Sequence, residues 1–147
     1  MGVRDQARWL SADGPKRRRA VKIYTRRGAD WTGRFPRIVE AVRKLKVRSV
    51  LIDGEGVVCD DAGVSDFHRL HSKLADEEVF LYAFDVLELG GADVRREPLL
   101  DRKAKLLKAL AKVKDGISFN NHIEDDGRLV SDEACRRDHT ARSATYP

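Results

Sequence analysis

Two carboxylates flank a glycine inside an apolar run: Asp53-Gly54-Glu55 lies within residues 49–58, SVLIDGEGVV. A carboxylate taken out of water without a partner is costly, so two of them in such a run ask for a cation or a hydroxyl-bearing ligand. Residues two apart on a strand face the same side of a sheet. Asp53 and Glu55 are therefore able to act together on a metal ion or a ribose hydroxyl. Gly54 lets another group approach the backbone closely. Taken alone, the triplet fits a bulged strand with carboxylates at a sheet edge better than it fits a ligand site.

A second group is Tyr82-Ala83-Phe84-Asp85, in the apolar run 78–89. Tyr82 and Phe84 share a strand face, and an aromatic ring there is able to stack on a base, a contact worth roughly 1–3 kcal/mol. Core packing is the commoner fate of a strand phenylalanine. Asp85, on the opposite face, is out of place in so apolar a strand. His68 and His71 are three apart, but a metal needs further ligands and none is evident nearby, so surface histidines are the expectation. Cys59 and Cys135 match no metal spacing, and two unpaired cysteines in a reduced cytosol are the expectation. No spacing of Ser, His and Cys resembles a nucleophile triad, and no Gly-x-x-x-x-Gly-Lys loop is present.

The elements that must position these residues follow from periodicity. Residues 20–25, AVKIYT, alternate apolar and polar and read as a strand. Phe35, Ile38, Val39, Val42 and Leu45 form one helical stripe, Pro36 suits the first turn, and Arg37, Arg43 and Lys44 make the opposite face basic. Residues 49–58 and 78–89 read as buried strands, with a turn at 60–63 and a short helix over 67–74. Gly90-Gly91 breaks the second strand. Pro98 opens a helix carrying Leu99, Leu106, Leu107, Leu110 and Val113. Residues 117–123 read as a strand and 126–137 as a weak helix. Residues 1–20 give no clear element beyond a turn at Asp13-Gly14-Pro15. Strands and helices thus alternate irregularly, which predicts an α+β fold with largely antiparallel sheets.

With 147 residues, the chain is one domain or part of one. It is 41% hydrophobic and 36% charged, with a net charge of +5 and a pI near 9.4. Residues 1–50 hold 15 Lys+Arg and 4 Asp+Glu, a balance of +11, against −6 for the remainder. A basic N-terminal third suits a phosphate-rich partner, although a solvated arginine-rich surface has the same composition. No apolar run approaches a membrane span, and MGVRDQARWL lacks the apolar core of a signal peptide. A cytoplasmic location is expected.

Three segments in order resemble the ATP-dependent DNA ligase family, in particular the ligase domains of bacterial end-joining enzymes. They are residues 25–32 (TRRGADWT) with Arg34-Phe35-Pro36, then Leu51-Ile52-Asp53-Gly54-Glu55, then Tyr82-Ala83-Phe84-Asp85 with Leu87. Weaker echoes are Pro98-Leu99 with Arg102-Lys103, and His122-Ile123-Glu124 with Asp126-Gly127. Each motif is weak, but their order and spacing together are specific. The resemblance implies a nucleotidyltransferase fold, ATP and Mg²⁺ as cofactors, and nicked or broken double-stranded DNA as partner, in repair and recombination. In that family a lysine takes AMP from ATP and passes it to a DNA 5′-phosphate, which a 3′-hydroxyl then attacks. By resemblance Glu55 contacts ribose or metal, Phe84 stacks on adenine, and Arg26 lies near the DNA phosphate.

The departures are equally informative. The family's nucleophile lies in Lys-x-Asp-Gly-x-Arg, and no such string occurs here. In one register Gly2-Val3-Arg4 matches the end of that motif, which places Arg4 with the cofactor-binding residues. In another, residues 11–16 match it, with Ser11 where lysine belongs. The family's later phosphate-binding lysine strands are also not found. The expectation is therefore an irregular basic segment over 1–20, a partial adenylation domain over 21–135 and an unstructured tail over 136–147, with no catalytic lysine and no self-adenylation. Arg17, Arg18, Arg19, Arg26 and Arg27 form the expected DNA-facing set. A non-catalytic basic DNA-binding module and a remnant without function are the alternatives.

Overall fold

The computed structural model describes residues 6–12, 20–62, 64, 66–73, 75–121 and 135, with 6–12, Phe67 and His71 described as backbone only. Arg4, the basic run at 16–19, the turn at 13–15, and the expectations for 122–134 and 136–147 lie outside the described residues.

The elements are β1 (Gln6–Ala12), β2 (Ala20–Tyr24), α1 (Pro36–Arg43), β3 (Val50–Val57), α2 (Phe67–Ser72), β4 (Phe80–Leu89), β5 (Ala92–Asp93), α3 (Leu99–Leu110) and β6 (Ile117–Phe119). They build one open sheet in the order β2-β1-β3-β4-β5, with β6 also paired to β4. All neighbours are antiparallel except β4 and β6. The expected α+β architecture with a largely antiparallel sheet is what forms. The parallel pair follows from chain path: α3 carries the chain back so that β6 enters beside β4 in the same direction.

Residues 6–12, for which the sequence shows no element, form β1 between β2 and β3. Its sequence, QARWLSA, is too mixed to read as a buried strand; the two flanking ladders define it. α1 starts at Pro36, as its stripe predicts, and buries Ile38, Val39, Ala41 and Val42. β6 ends at Phe119, so the strand expected over 117–123 is confirmed only in its first three residues.

One face of the sheet carries the main core. Val21, Ile23, Val50, Ile52, Leu81, Ala83, Val86 and Ile117 meet Ile38 and Val42 of α1 and Leu106 and Leu110 of α3. Gly116, at φ +85°, lets the chain enter β6 past α1, where an added Cβ would stand 2.6 Å from the Arg37 carbonyl oxygen. The other face holds a smaller apolar cluster of Val57, Phe80, Tyr82 and Cys135, with Cys59 packed against it.

Candidate functional site

The chemistry-bearing strand residues meet where β3 and β4 pair irregularly. Asp53 pairs with Asp85 but Gly54 pairs with Ala83, so Phe84 is an extra residue on β4. Such a bulge bends its strand and re-aims side chains. On β3 the alternation is unbroken: Ile52 packs in the main core, and Val57 lies in the smaller cluster opposite. Asp53 and Glu55, both half-buried, therefore stand on the face away from the main core. Glu55 is opposite Tyr82 in the register.

Gly54 admits close approach, and the group that approaches is β4 itself. A Cβ at this position would lie 2.7 Å from Leu81 Cδ1, 2.8 Å from the Tyr82 carbonyl oxygen and 3.1 Å from Ala83 Cα. The glycine thus lets the two strands close beside the bulge.

The two aromatic residues of the β4 motif have different fates. Tyr82 is fully buried in the smaller cluster. Phe84 is half-buried and belongs to neither apolar cluster. Asp85 explains its presence in an apolar strand by its partner: Arg102 of α3 donates through Nε to Oδ1 at 2.9 Å and through a terminal nitrogen to Oδ2 at 3.1 Å. The next residue, Lys103, is buried at 6% exposure, and its Nζ donates to the carbonyl oxygens of Phe84 and Asn120, each at 2.9 Å. Burial pushes the Lys103 ammonium below the usual lysine range, and the nearby Asp85 carboxylate opposes that shift. Sequence reasoning missed this role for Lys103. The signal was present: Leu99, Lys103, Leu106 and Leu110 share one stripe of α3, with a lysine where an apolar residue is expected.

The segment after β2 divides by function. Thr32 accepts from the Ile23 backbone N–H at 2.9 Å. Arg34 donates through Nε and a terminal nitrogen to Asp76, both at 2.9 Å, and also to the Leu70 carbonyl oxygen at 3.1 Å. Its guanidinium lies 4.2 Å from the Trp31 ring centroid. These residues fasten β2 to α1 and α2. Arg26 and Arg27 are instead exposed in the turn after β2, with no carboxylate partner among the described residues. The register row Tyr24, Arg8, Asp53, Asp85 crosses four strands. Arg26 therefore follows β2 at the same end of the sheet as Glu55, about 10 Å away if two strand spacings separate them.

The cysteines correct the expectation of two unpaired thiols. Cys59 and Cys135 form a disulfide, with Cα atoms 5.7 Å apart across 76 positions of sequence. Chain folding brings them together at the smaller cluster, which spacing along the sequence could not reveal. His68 is exposed, in line with its surface reading; the side chain of His71 is outside the described residues. Among the described residues no three His, Cys, Asp or Glu side chains converge to hold a metal ion, so Glu55 offers at most part of a metal's ligand set.

Comparison with known proteins gives a consistent result. Residues 7–128 match the family model of the ATP dependent DNA ligase domain. The multifunctional non-homologous end joining protein LigD of Pseudomonas aeruginosa is 32% identical over 120 residues, covering 79% of this chain and 14% of the relative. A DNA ligase of Natronomonas pharaonis is 31% identical over 126 residues, covering 78% of this chain and 22% of the relative. The chain thus spans a small part of the length of the curated relatives it matches. The crystal structure of the ligase domain of M. tuberculosis LigD superposes with a TM-score of 0.59 at 31% identity, over 95% of this chain and 44% of that one. A mycobacterial DNA ligase D complexed with ATP and MES gives the same values.

Proposed function

This chain belongs to the ATP-dependent DNA ligase domain family, and we propose that its sheet forms the adenosine-facing part of a ligase nucleotide site. The observation that carries this reading is Phe84: a half-buried aromatic residue, raised on a bulge, used by neither core, and set beside the strand that bears Glu55. Phe84 stacks on adenine, and Glu55 accepts from a ribose hydroxyl or contributes one oxygen to Mg²⁺. Arg4, which matches the end of the nucleophile motif in the best register, is assigned to the cofactor-binding residues by that match alone. When bound, ATP would carry the AMP that the family transfers, and Mg²⁺ would neutralise phosphate charge. The DNA partner is nicked or broken duplex, met through Arg26 and Arg27 and through Arg17, Arg18 and Arg19. The cellular role is DNA repair and recombination in the cytoplasm.

The chain does not itself become adenylated. Its sequence contains no Lys-x-Asp-Gly string to supply the nucleophile. Incubation with radiolabelled ATP and Mg²⁺, followed by a denaturing gel, is expected to show no labelled band. An acid-stable, lysine-linked adenylate at stoichiometric yield would overturn this. ATP binding is expected to be millimolar or weaker, because each lost charged phosphate contact costs roughly 1.5–3 kcal/mol. Phe84→Ala should abolish what binding remains. Micromolar affinity, or binding indifferent to Phe84→Ala, would contradict the proposed site.

A second reading, a basic DNA-binding module without catalysis, is favoured by the exposed Arg26-Arg27 turn. It requires sequence-independent duplex binding that weakens steeply with salt.

A further inference from the structure

β4 is flanked on one side along its whole length by β3. Its other edge is shared: β6 pairs with Leu81 to Ala83, and β5 with Glu88 and Leu89. Between them lies a stretch with no strand neighbour among the described residues, and Phe84 and Asp85 fall within it. Buried backbone groups need partners, and a gap in a ladder leaves carbonyls to be satisfied by side chains. α3 meets that need. Lys103 Nζ takes the Phe84 carbonyl oxygen at 2.9 Å and bridges it to the Asn120 carbonyl oxygen just past β6. The Asn120 N–H donates back to the Ala83 carbonyl oxygen at 2.7 Å. Arg102, the preceding residue, holds the Asp85 carboxylate with two hydrogen bonds. The Asp85 carboxylate in turn accepts from the Val86 N–H at 2.8 Å.

Two consecutive residues of the bulge, Phe84 and Asp85, are therefore held from the helix side, and Ala83 before them is held by Asn120. We propose that Lys103 is a positioning residue that fixes the backbone of the β4 bulge and thereby sets the Phe84 ring as a preorganised stacking platform. This rests on the adenosine reading of the site for what the platform binds, but not for the positioning itself. A buried ammonium is an expensive way to satisfy two carbonyls. A methionine or leucine at that stripe position would pack in the core but remove the donor that joins the two oxygens. Preorganisation gives that cost a return: a ring already held in place loses less freedom on binding.

The test separates the two claims. The full 147-residue chain is labelled with 4-fluorophenylalanine, and the Phe84, Phe35 and Phe80 fluorine resonances are assigned by single Phe→Leu changes. Lys103→Met is expected to shift and broaden the Phe84 resonance while Phe35 and Phe80, in the two cores, stay in place. Lys103→Arg should restore the Phe84 position, because a guanidinium is able to donate to both carbonyls. Titration with ATP, followed at Phe84, should give a dissociation constant about tenfold weaker in Lys103→Met and nearly unchanged in Lys103→Arg. An unmoved Phe84 resonance in folded Lys103→Met overturns the positioning role. ATP that leaves Phe84 unperturbed in the unmodified chain, while Lys103→Met still displaces it, overturns the adenosine reading and supports the positioning. Should Lys103→Met not fold, ¹⁵N-lysine spectra of the unmodified chain decide: a slowly exchanging Lys103 ammonium supports the proposal, and its absence overturns it.

Discussion

The two faces of the central sheet are built on different terms. Among the described residues, the face under α1 and α3 carries the main apolar core, with Ile52, Leu81, Ala83 and Val86 at zero exposure. The opposite face has a small apolar cluster at one end, tied by the Cys59–Cys135 disulfide, and then gives way to half-buried Asp53 and Glu55, beside the bulge that carries half-buried Phe84. The first face holds the fold together. The second leaves polar and aromatic groups short of full burial. One strand pair serves both: alternation along β3 sends Ile52 to the core and Asp53 to the open face.

Changes on the covered face should have the largest effect on stability. Leu106 is fully buried against the sheet. Leu106→Ala is expected to cost about 3 kcal/mol from lost burial and the cavity left behind, measured by urea unfolding. A cost as small as that of an exposed change would mean that α3 does not seal this face.

The disulfide comes next. Closing a loop across 76 positions restricts the unfolded chain, and removing it through Cys135→Ser should cost about 2–4 kcal/mol. Intact mass under non-reducing conditions should be lower by two hydrogens than after reduction. Two titratable thiols in the denatured, unreduced protein would refute the bond, and with it the account of what closes the second cluster.

Gly54→Ala probes the seam between the faces. The added methyl meets the Tyr82 carbonyl oxygen and Ala83 Cα, both backbone-bound and unable to swing away. Overpacking of this kind should cost roughly 2 kcal/mol. It should also shift the bulge, so loss of ATP binding at temperatures where the fold persists is the expected companion result.

How much of this was legible in sequence depends on whether the cause was local. The α1 stripe, the breaks at Gly90-Gly91 and the run that became β4 are local patterns, and each formed as expected. Glu55 and Phe84 stood out because a carboxylate and an aromatic interrupted or crowned an apolar strand. β1 was not legible, since the short alternation of Gln6, Ala7, Arg8 and Trp9 breaks at Leu10-Ser11 and its place depends on β2 and β3 pairing on either side. The disulfide was hidden by distance along the chain. Lys103 was visible only as an anomaly in the α3 stripe; its meaning depends on a gap in the β4 ladder that no sequence window contains.

Phe84→Ala sharpens the contrast between the faces. Because Phe84 belongs to neither apolar cluster, its truncation should cost less stability than a core phenylalanine, about 1 kcal/mol against the 3–5 of a buried aromatic. Phe80→Ala, on the same strand but at 1% exposure, supplies the control. Equal losses would place Phe84 in the core and remove the platform.

The smallest effect on stability, and the most specific on binding, belongs to the turn after β2. Arg26 and Arg27 are exposed and make no ion pair among the described residues, so replacing both by alanine should change unfolding free energy by no more than about 0.5 kcal/mol. If the turn meets duplex DNA, each arginine that neutralises a phosphate contributes about 0.9 to the slope of log affinity against log salt. The double change should therefore reduce that slope by roughly 2 when both contacts are made. Arg43→Ala, an exposed arginine already paired with Glu40 at 2.9 Å on the far side of α1, should leave it unchanged. Equal reductions from both variants would mean that binding reads net charge alone, with no oriented surface at the Glu55 end of the sheet.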